Sequence, residues 1–282
     1  MTTIASREAP PEVAPAPAVP GGRRRWTRLI LPAYTWLMIA YFCLPIAVMI
    51  VFGFNDTKGR LNLRWQGFTL TWYRDLFSIP ALSTALRNSL LIAVVATVVA
   101  TVLGTTVGLA LGRYRFRGKG LYDLVIFSSI SAPELVLGAS LLSLFITIQL
   151  ARGFLTITIA HIMFSLAFVA VTVRARVLGL DPTLEEAAQD LGADPWTTFR
   201  KITLPLLAPG IVAGALLAFA LSIDDYVVTS FVNGQVETFP IWVYGATRIG
   251  VPPQVNVMGT LIFLGGVAIA VGNALLARRQ RA

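Results

Sequence analysis

The sequence predicts an all-α integral membrane protein with six membrane-spanning helices, and three observations carry that prediction. Hydrophobic residues make up 56% of the chain against 13% charged, and the mean hydropathy is +0.72, far more apolar than a soluble domain of 282 residues. Six apolar runs reach or approach the roughly 20 residues an α-helix needs to cross a bilayer. Arginines cluster beside these runs, so the net charge of +9 reads as flanking charge rather than as a nucleic-acid surface. The single cysteine, Cys43, lies inside an apolar run and leaves no disulfide framework within the chain.

Residues 1–25 are expected to be a disordered cytoplasmic tail, because 1–22 is rich in Pro and Ala and has no hydrophobic period. Residues 26–282 form the membrane domain. The first span, 29–54, follows Arg23, Arg24, Arg25 and Arg28, is too long for a signal-peptide core, and is expected to bend at Pro32 and Pro45. The polar excursion 55–87 sets Lys58, Arg60, Arg64 and Arg74 beside Trp65, Trp72 and Tyr73. Its aromatics are expected at the membrane interface, with 71–77 as a short surface helix. In the second span, 88–112, Gly104, Gly108 and Gly112 share one helix face and invite close packing by another helix.

Arg113, Arg115, Arg117 and Lys119 then crowd a short loop, a cytoplasmic mark. The glycine spacing from Gly112 to Gly120 is one residue too long for a phosphate loop, and no Ser or Thr follows Lys119, so no nucleotide site is assigned to this chain. The third span, 121–150, is interrupted by Pro133, with Glu134 next to it; the fourth, 157–173, is closed by Arg174 and Arg176. The fifth, 206–231, holds Pro209 and the acids Asp224 and Asp225. A connector, 232–255, carries Trp242, Tyr244 and Arg248, and the sixth span, 256–277, ends at Arg278, Arg279 and Arg281. Arginine clusters in the short loops after the second and fourth spans, and at both ends, place both termini in the cytoplasm.

Between the fourth and fifth spans lies a polar stretch, 181–205. Thr183 and Glu186 have the spacing of a capping box, Gly192 can take the left-handed conformation that ends a helix, and Asp194-Pro195 can start a second one. The expectation is a helix, a glycine turn and a helix, protruding as a docking surface.

Charged side chains within spans cost about 2.5–3.5 kcal/mol each at the bilayer centre, so each invites a functional explanation. At about 1.5 Å per residue, Glu134 lies roughly 20 Å into a straight third span, and Asp224 and Asp225 about 27 Å into the fifth. With Tyr226 they would line an anionic path suited to a cationic solute. Asp225 and Glu134 have a competing role as ion-pair partners or helix caps, and adjacent acids do not face one partner. Trp242 and Tyr244 could add ring faces for a cation, although interface anchoring explains them too. His161 has no Cys, Asp or Glu at ligand spacing and reads as a packed, hydrogen-bonded histidine. No catalytic or metal constellation is present in the sequence.

Glu186-Ala187-Ala188, then Gly192, then Ile202, Leu204 and Pro205, match the EAA-x3-G-x9-I-x-L-P signature. The chain thereby resembles the membrane subunits of binding-protein-dependent ABC importers. The resemblance implies the six-helix MetI-like ABC permease bundle and makes the polar hairpin a coupling helix that enters a cleft on a cytoplasmic ATPase. Its coupling residues would be Glu185, Glu186, Ala187, Ala188, Gly192 and Asp194, with Glu186 bearing on the ATPase.

The stretches 220–231, 133–138 and 248–256 are similar to the spermidine/putrescine branch, the PotC and PotI type permeases. That likeness implies polyamine import into the cytoplasm across a bacterial inner membrane. The implied partners are a second permease of the PotB or PotH kind, a dimer of ABC ATPases and an extracytoplasmic solute-binding protein. ATP and Mg would be bound by those ATPases, leaving this chain without cofactor or enzymatic activity. The alternatives are an ABC permease for another small solute, or a proton-coupled secondary transporter using Glu134 and Asp224 as a relay.

Overall fold

The computed structural model describes residues 24–279 apart from 60, 61 and 63, with backbone alone at 24–29, 273, 274 and 276–279. Arg23, Arg60, Arg281 and residues 1–23 of the expected tail lie outside the described residues. The described chain is helical throughout, apart from loops and one isolated antiparallel bridge between Asn55 and Phe68. It divides into two compact units, Met1–Met49 and Ile50–Ala282.

The first unit carries most of α1 (Arg24–Phe52), a helix that includes Pro32 and Pro45 and takes in the last two residues of the expected tail. In the second unit, α3 (Pro80–Arg113), α6 (Phe154–Leu178) and α9 (Leu204–Asp224) pack together as the core. The glycine stripe explains how closely. A β-carbon at Gly104 would sit 2.7 Å from Val169 Cβ, one at Gly108 2.5 Å from the Ala170 carbonyl oxygen, and one at Gly112 2.6 Å from Val177 Cγ1. The contacts advance along both helices together, so α3 and α6 run in the same direction. Gly214 meets Val169 and Gly210 meets Arg176, so α9 runs against them.

Two expected spans are broken. The third is not a straight rod over 121–150: α4 (Lys119–Ser131) and α5 (Glu134–Thr147) meet at 107°. Pro133 has no amide hydrogen to continue the ladder and forces Ala132 into an extended conformation at ψ 131°. The depth counted for Glu134 along a straight helix therefore does not apply. The fifth span stops at Asp224 rather than at residue 231. Asp225 is extended, at ψ 120°, and its carboxylate takes the amides of Val228 and Thr229, starting a separate helix, α10 (Val227–Val232), which packs against α5. Among the described residues, five helices have the length and apolarity of a crossing, or six if the bent pair counts as one.

The helix expected over 71–77 is a single turn, α2 (Thr71–Arg74). Trp72 and Tyr73 pack against Leu76, Leu82 and Met258. The Trp72 indole donates to the Asn55 carbonyl at 2.7 Å, which holds the preceding loop in place. The fold is completed by α7 (Thr183–Asp190), α8 (Pro195–Thr198), α11 (Phe239–Ala246) and α12 (Pro253–Arg279). A π turn, Phe199–Thr203, joins α8 to α9, and Pro195–Asp224 is one continuous helical run of 30 residues. Opening the ladder by one residue just before Pro205 accommodates the ring and the missing donor of that proline.

Candidate functional site

The hairpin predicted over 181–205 is present as α7, a glycine turn and α8. Its start differs from the expected capping box. Pro182 already has helical dihedrals, φ −66° and ψ −22°, so Thr183 falls inside the first turn, and Asp181 Oδ1 accepts the Thr183 amide at 3.0 Å instead. Gly192 adopts φ +87°, and the amides of Gly192 and Ala193 return to the carbonyls of Gln189 and Ala188 at 2.9 and 3.0 Å. Asp194 caps α8 through the amides of Trp196 and Thr197, at 2.9 and 3.1 Å, and the Thr197 hydroxyl, at 2.6 Å. Those bonds, the Thr197 hydroxyl first, hold the Asp194 carboxyl below the usual aspartate range.

The two glutamates of the hairpin part company. Glu186 is exposed, together with Ala187, Gly192 and Asp194, and Ala188 is half-buried. Glu185 is buried and turned inward, where both terminal nitrogens of the Arg113 guanidinium and the Thr203 hydroxyl bind its carboxylate. That links the end of α3, the hairpin and the π turn. Around Glu186 the hairpin exposes large apolar side chains: Leu184 is 49% exposed, Leu191 89% and Trp196 67%.

The acids form a second locus. Glu134 opens α5 at the Pro133 bend, and Asp224 and Asp225 close α9. The bend and the break bring these three carboxylates and Tyr226 to one cavity of about 360 Å³, with Phe164 and Phe168 of α6 in its wall. Asp224 and Glu134 are exposed to it, whereas Asp225 is committed to capping α10 and lies 3.3 Å from His161 Nε2. Tyr244 does not line this cavity. It stacks on Tyr226 at 4.5 Å between centroids, and Arg248 lies 5.5 Å from its ring, so one face already meets a cation of the chain itself. Trp242 sits apart from the acids, packed near Leu76 and Met258. His161 is packed and hydrogen-bonded, as expected. Among the described residues no cluster of three or more His, Cys, Asp or Glu could hold a metal.

Residues 101–282 match the family model described as "Binding-protein-dependent transport system inner membrane component". The chain belongs to this family. The spermidine/putrescine transport system permease protein PotC of Escherichia coli (strain K12) is 40% identical over 252 residues, covering 89% of this chain and 95% of that one. The putrescine transport system permease protein PotI of the same organism is 38% identical over 273 residues, covering 93% and 95%. Among solved structures, a bacterial alginate ABC transporter in complex with an alginate pentasaccharide-bound periplasmic protein matches with a TM-score of 0.64 at 16% identity. That match covers 91% of this chain and 96% of the other. The resemblance read from the EAA signature and the expectation of a MetI-like helical permease are thereby borne out.

This inner membrane component carries site features that the motif pattern does not supply. Arg113 appears in sequence only as one of several loop arginines, and its partner Glu185 lies 72 residues away. The apolar faces of Leu184, Leu191 and Trp196 had a usable signal, since three large hydrophobic side chains stand in an otherwise polar hairpin. The contacts of His161 with Ser222 and Thr229 span 61 and 68 residues and have no periodic signature.

Proposed function

We propose that this chain is the permease subunit of a polyamine ABC importer, passing spermidine- or putrescine-like cations into the cytoplasm. The observation that carries this reading is the convergence of Glu134 and Asp224 on one cavity walled by Phe164 and Phe168. Two carboxylates attract a multiply charged amine strongly in a partly desolvated space, and aromatic faces accept ammonium groups. The names of the curated relatives support the choice of solute.

The reading includes a second, related permease, two copies of an ATPase that bind ATP and Mg, and a solute-binding protein on the far side. It places both termini and the hairpin in the cytoplasm, in agreement with the arginine distribution. Glu186 and the apolar trio Leu184, Leu191 and Trp196 make the contact with the ATPase, Gly192 shapes the turn, and Glu185 anchors the hairpin from behind. Nucleotide binding draws the two hairpins of the permease pair together, and the spans exchange access between the two faces of the membrane.

The test is ATP-driven uptake of spermidine by the reconstituted complex in proteoliposomes. Glu186→Arg and Gly192→Pro leave the chain inserted but reduce uptake per ATP hydrolysed at least tenfold, about 1.4 kcal/mol of coupling. Unchanged uptake in both variants refutes the role of the hairpin.

A further inference from the structure

His161 lies on α6 with 1% of its surface exposed, and both ring nitrogens are engaged. Nδ1 is 2.7 Å from Ser222 Oγ, and Nε2 is 2.9 Å from Thr229 Oγ1. Ser222 belongs to the last turn of α9 and Thr229 to α10, so the helix break at Asp225-Tyr226 lies between the two contacts. One imidazole therefore grips both sides of the break.

The hydrogens can be assigned without a charge on the ring. The Thr229 hydroxyl donates to Asp225 Oδ2 at 2.6 Å, which leaves its oxygen free to accept from Nε2–H; the Ser222 hydroxyl then donates to Nδ1. Asp225 also accepts the amides of Val228 and Thr229, at 3.3 and 2.7 Å. With Asp225 held inward in this way, its neighbour Asp224 faces the cavity shared with Glu134.

A buried imidazole needs a partner for each ring nitrogen wherever it lies; what distinguishes His161 is where those partners stand. This one joins α6, α9 and α10 at the only interruption between the last two, beside the acid that meets the cavity. We propose that His161 is a positioning residue of the solute pathway: by tying Ser222 to Thr229 across the helix break, it fixes the direction in which Asp224 presents its carboxylate to a cationic solute. The proposal rests on the reading of Asp224 as a pathway acid.

The experiment uses the complete complex, with its second permease, ATPases and binding protein, in proteoliposomes with ATP and spermidine as the probe. Uptake is normalised to the complex recovered by copurification. Asp224→Asn and His161→Leu each lower uptake by about five- to tenfold, the size expected for loss of a buried hydrogen bond or a charged contact. Because His161 acts through Asp224, the double variant is no worse than Asp224→Asn alone. His161→Gln, which can still donate and accept, recovers part of the loss.

Losses that multiply in the double variant, or a Gln variant no better than Leu, overturn the positioning role while leaving Asp224 in the pathway. An Asp224→Asn complex with full uptake, or an unmutated complex that takes up no spermidine, overturns the functional reading and this proposal with it. If His161→Leu fails to assemble, Ser222→Ala removes one side of the tie and is read in the same way against Asp224→Asn.

Discussion

Asp194 places one carboxylate oxygen on the amides of Trp196 and Thr197 and the other on the Thr197 hydroxyl, so one side chain supplies the cap of the long run that α8 begins. Its folded pKa is depressed by the Thr197 and Trp196 bonds. A carboxyl of this kind contributes stability in full above its unfolded value, about pH 4, and loses it as the pH falls through the lower folded value. At neutral pH the cap is fully formed. Asp194→Ala should therefore speed hydrogen exchange at the Trp196 and Thr197 amides at pH 7 without affecting α6, whereas Asp194→Asn or Asp194→Ser retains most of the protection. The arginines show a second point at this scale. Arg113 binds Glu185, Arg174 pairs with Asp123 at 2.5 Å, and the Arg176 guanidinium donates to the Leu206 carbonyl at 2.9 Å. Residues read from sequence as topology marks also join elements within the fold.

Among the elements, the tie between α3 and the hairpin is the one with the clearest mechanical sense. Glu185 is buried, while Arg113 keeps about a third of its side chain in contact with its surroundings. Removing the arginine leaves a buried carboxylate short of partners, a cost of about 1–3 kcal/mol. Arg113→Ala should lower the thermal midpoint of the purified complex and the uptake per ATP, and the exchanged pair Arg113→Glu with Glu185→Arg should recover part of both. A double variant no better than the worse single one would contradict the tie. The hairpin itself was legible before any coordinates, because Gly192, Asp194 and Pro195 act on their own backbone within three or four residues. The 107° bend was half legible: Pro133 marked the interruption, but the angle is set by packing of α4 on α6 and α5 on α10. The break after Asp224 was also half legible: the span reads through to residue 231 in the sequence, yet Asp225 reads as a candidate helix cap, and its carboxylate does take the amides three and four residues on; the contact of His161 with Thr229, 68 positions apart, has no local signal.

For the whole protein, the composition alone placed the chain in a membrane, and the EAA spacing placed it in a transport family. The convergence of Glu134 with Asp224 needed the bend and the break together, which no run of hydropathy values contains. The isolated chain should accumulate no spermidine under a pH gradient, and the assembled complex should do so only with hydrolysable ATP; flux through the lone chain would favour a proton relay through Glu134 and Asp224. The junction at Phe199–Thr203 bears directly on how such a complex works. Because the π turn keeps the run Pro195–Asp224 helical over 30 residues, one element about 45 Å long at about 1.5 Å per residue, with Pro209 inside it, connects the capped end of the hairpin to Asp224. Under the proposed ATPase contact, a shift of the hairpin is thereby handed to Asp224 along one continuous backbone, with no loop between them to absorb it.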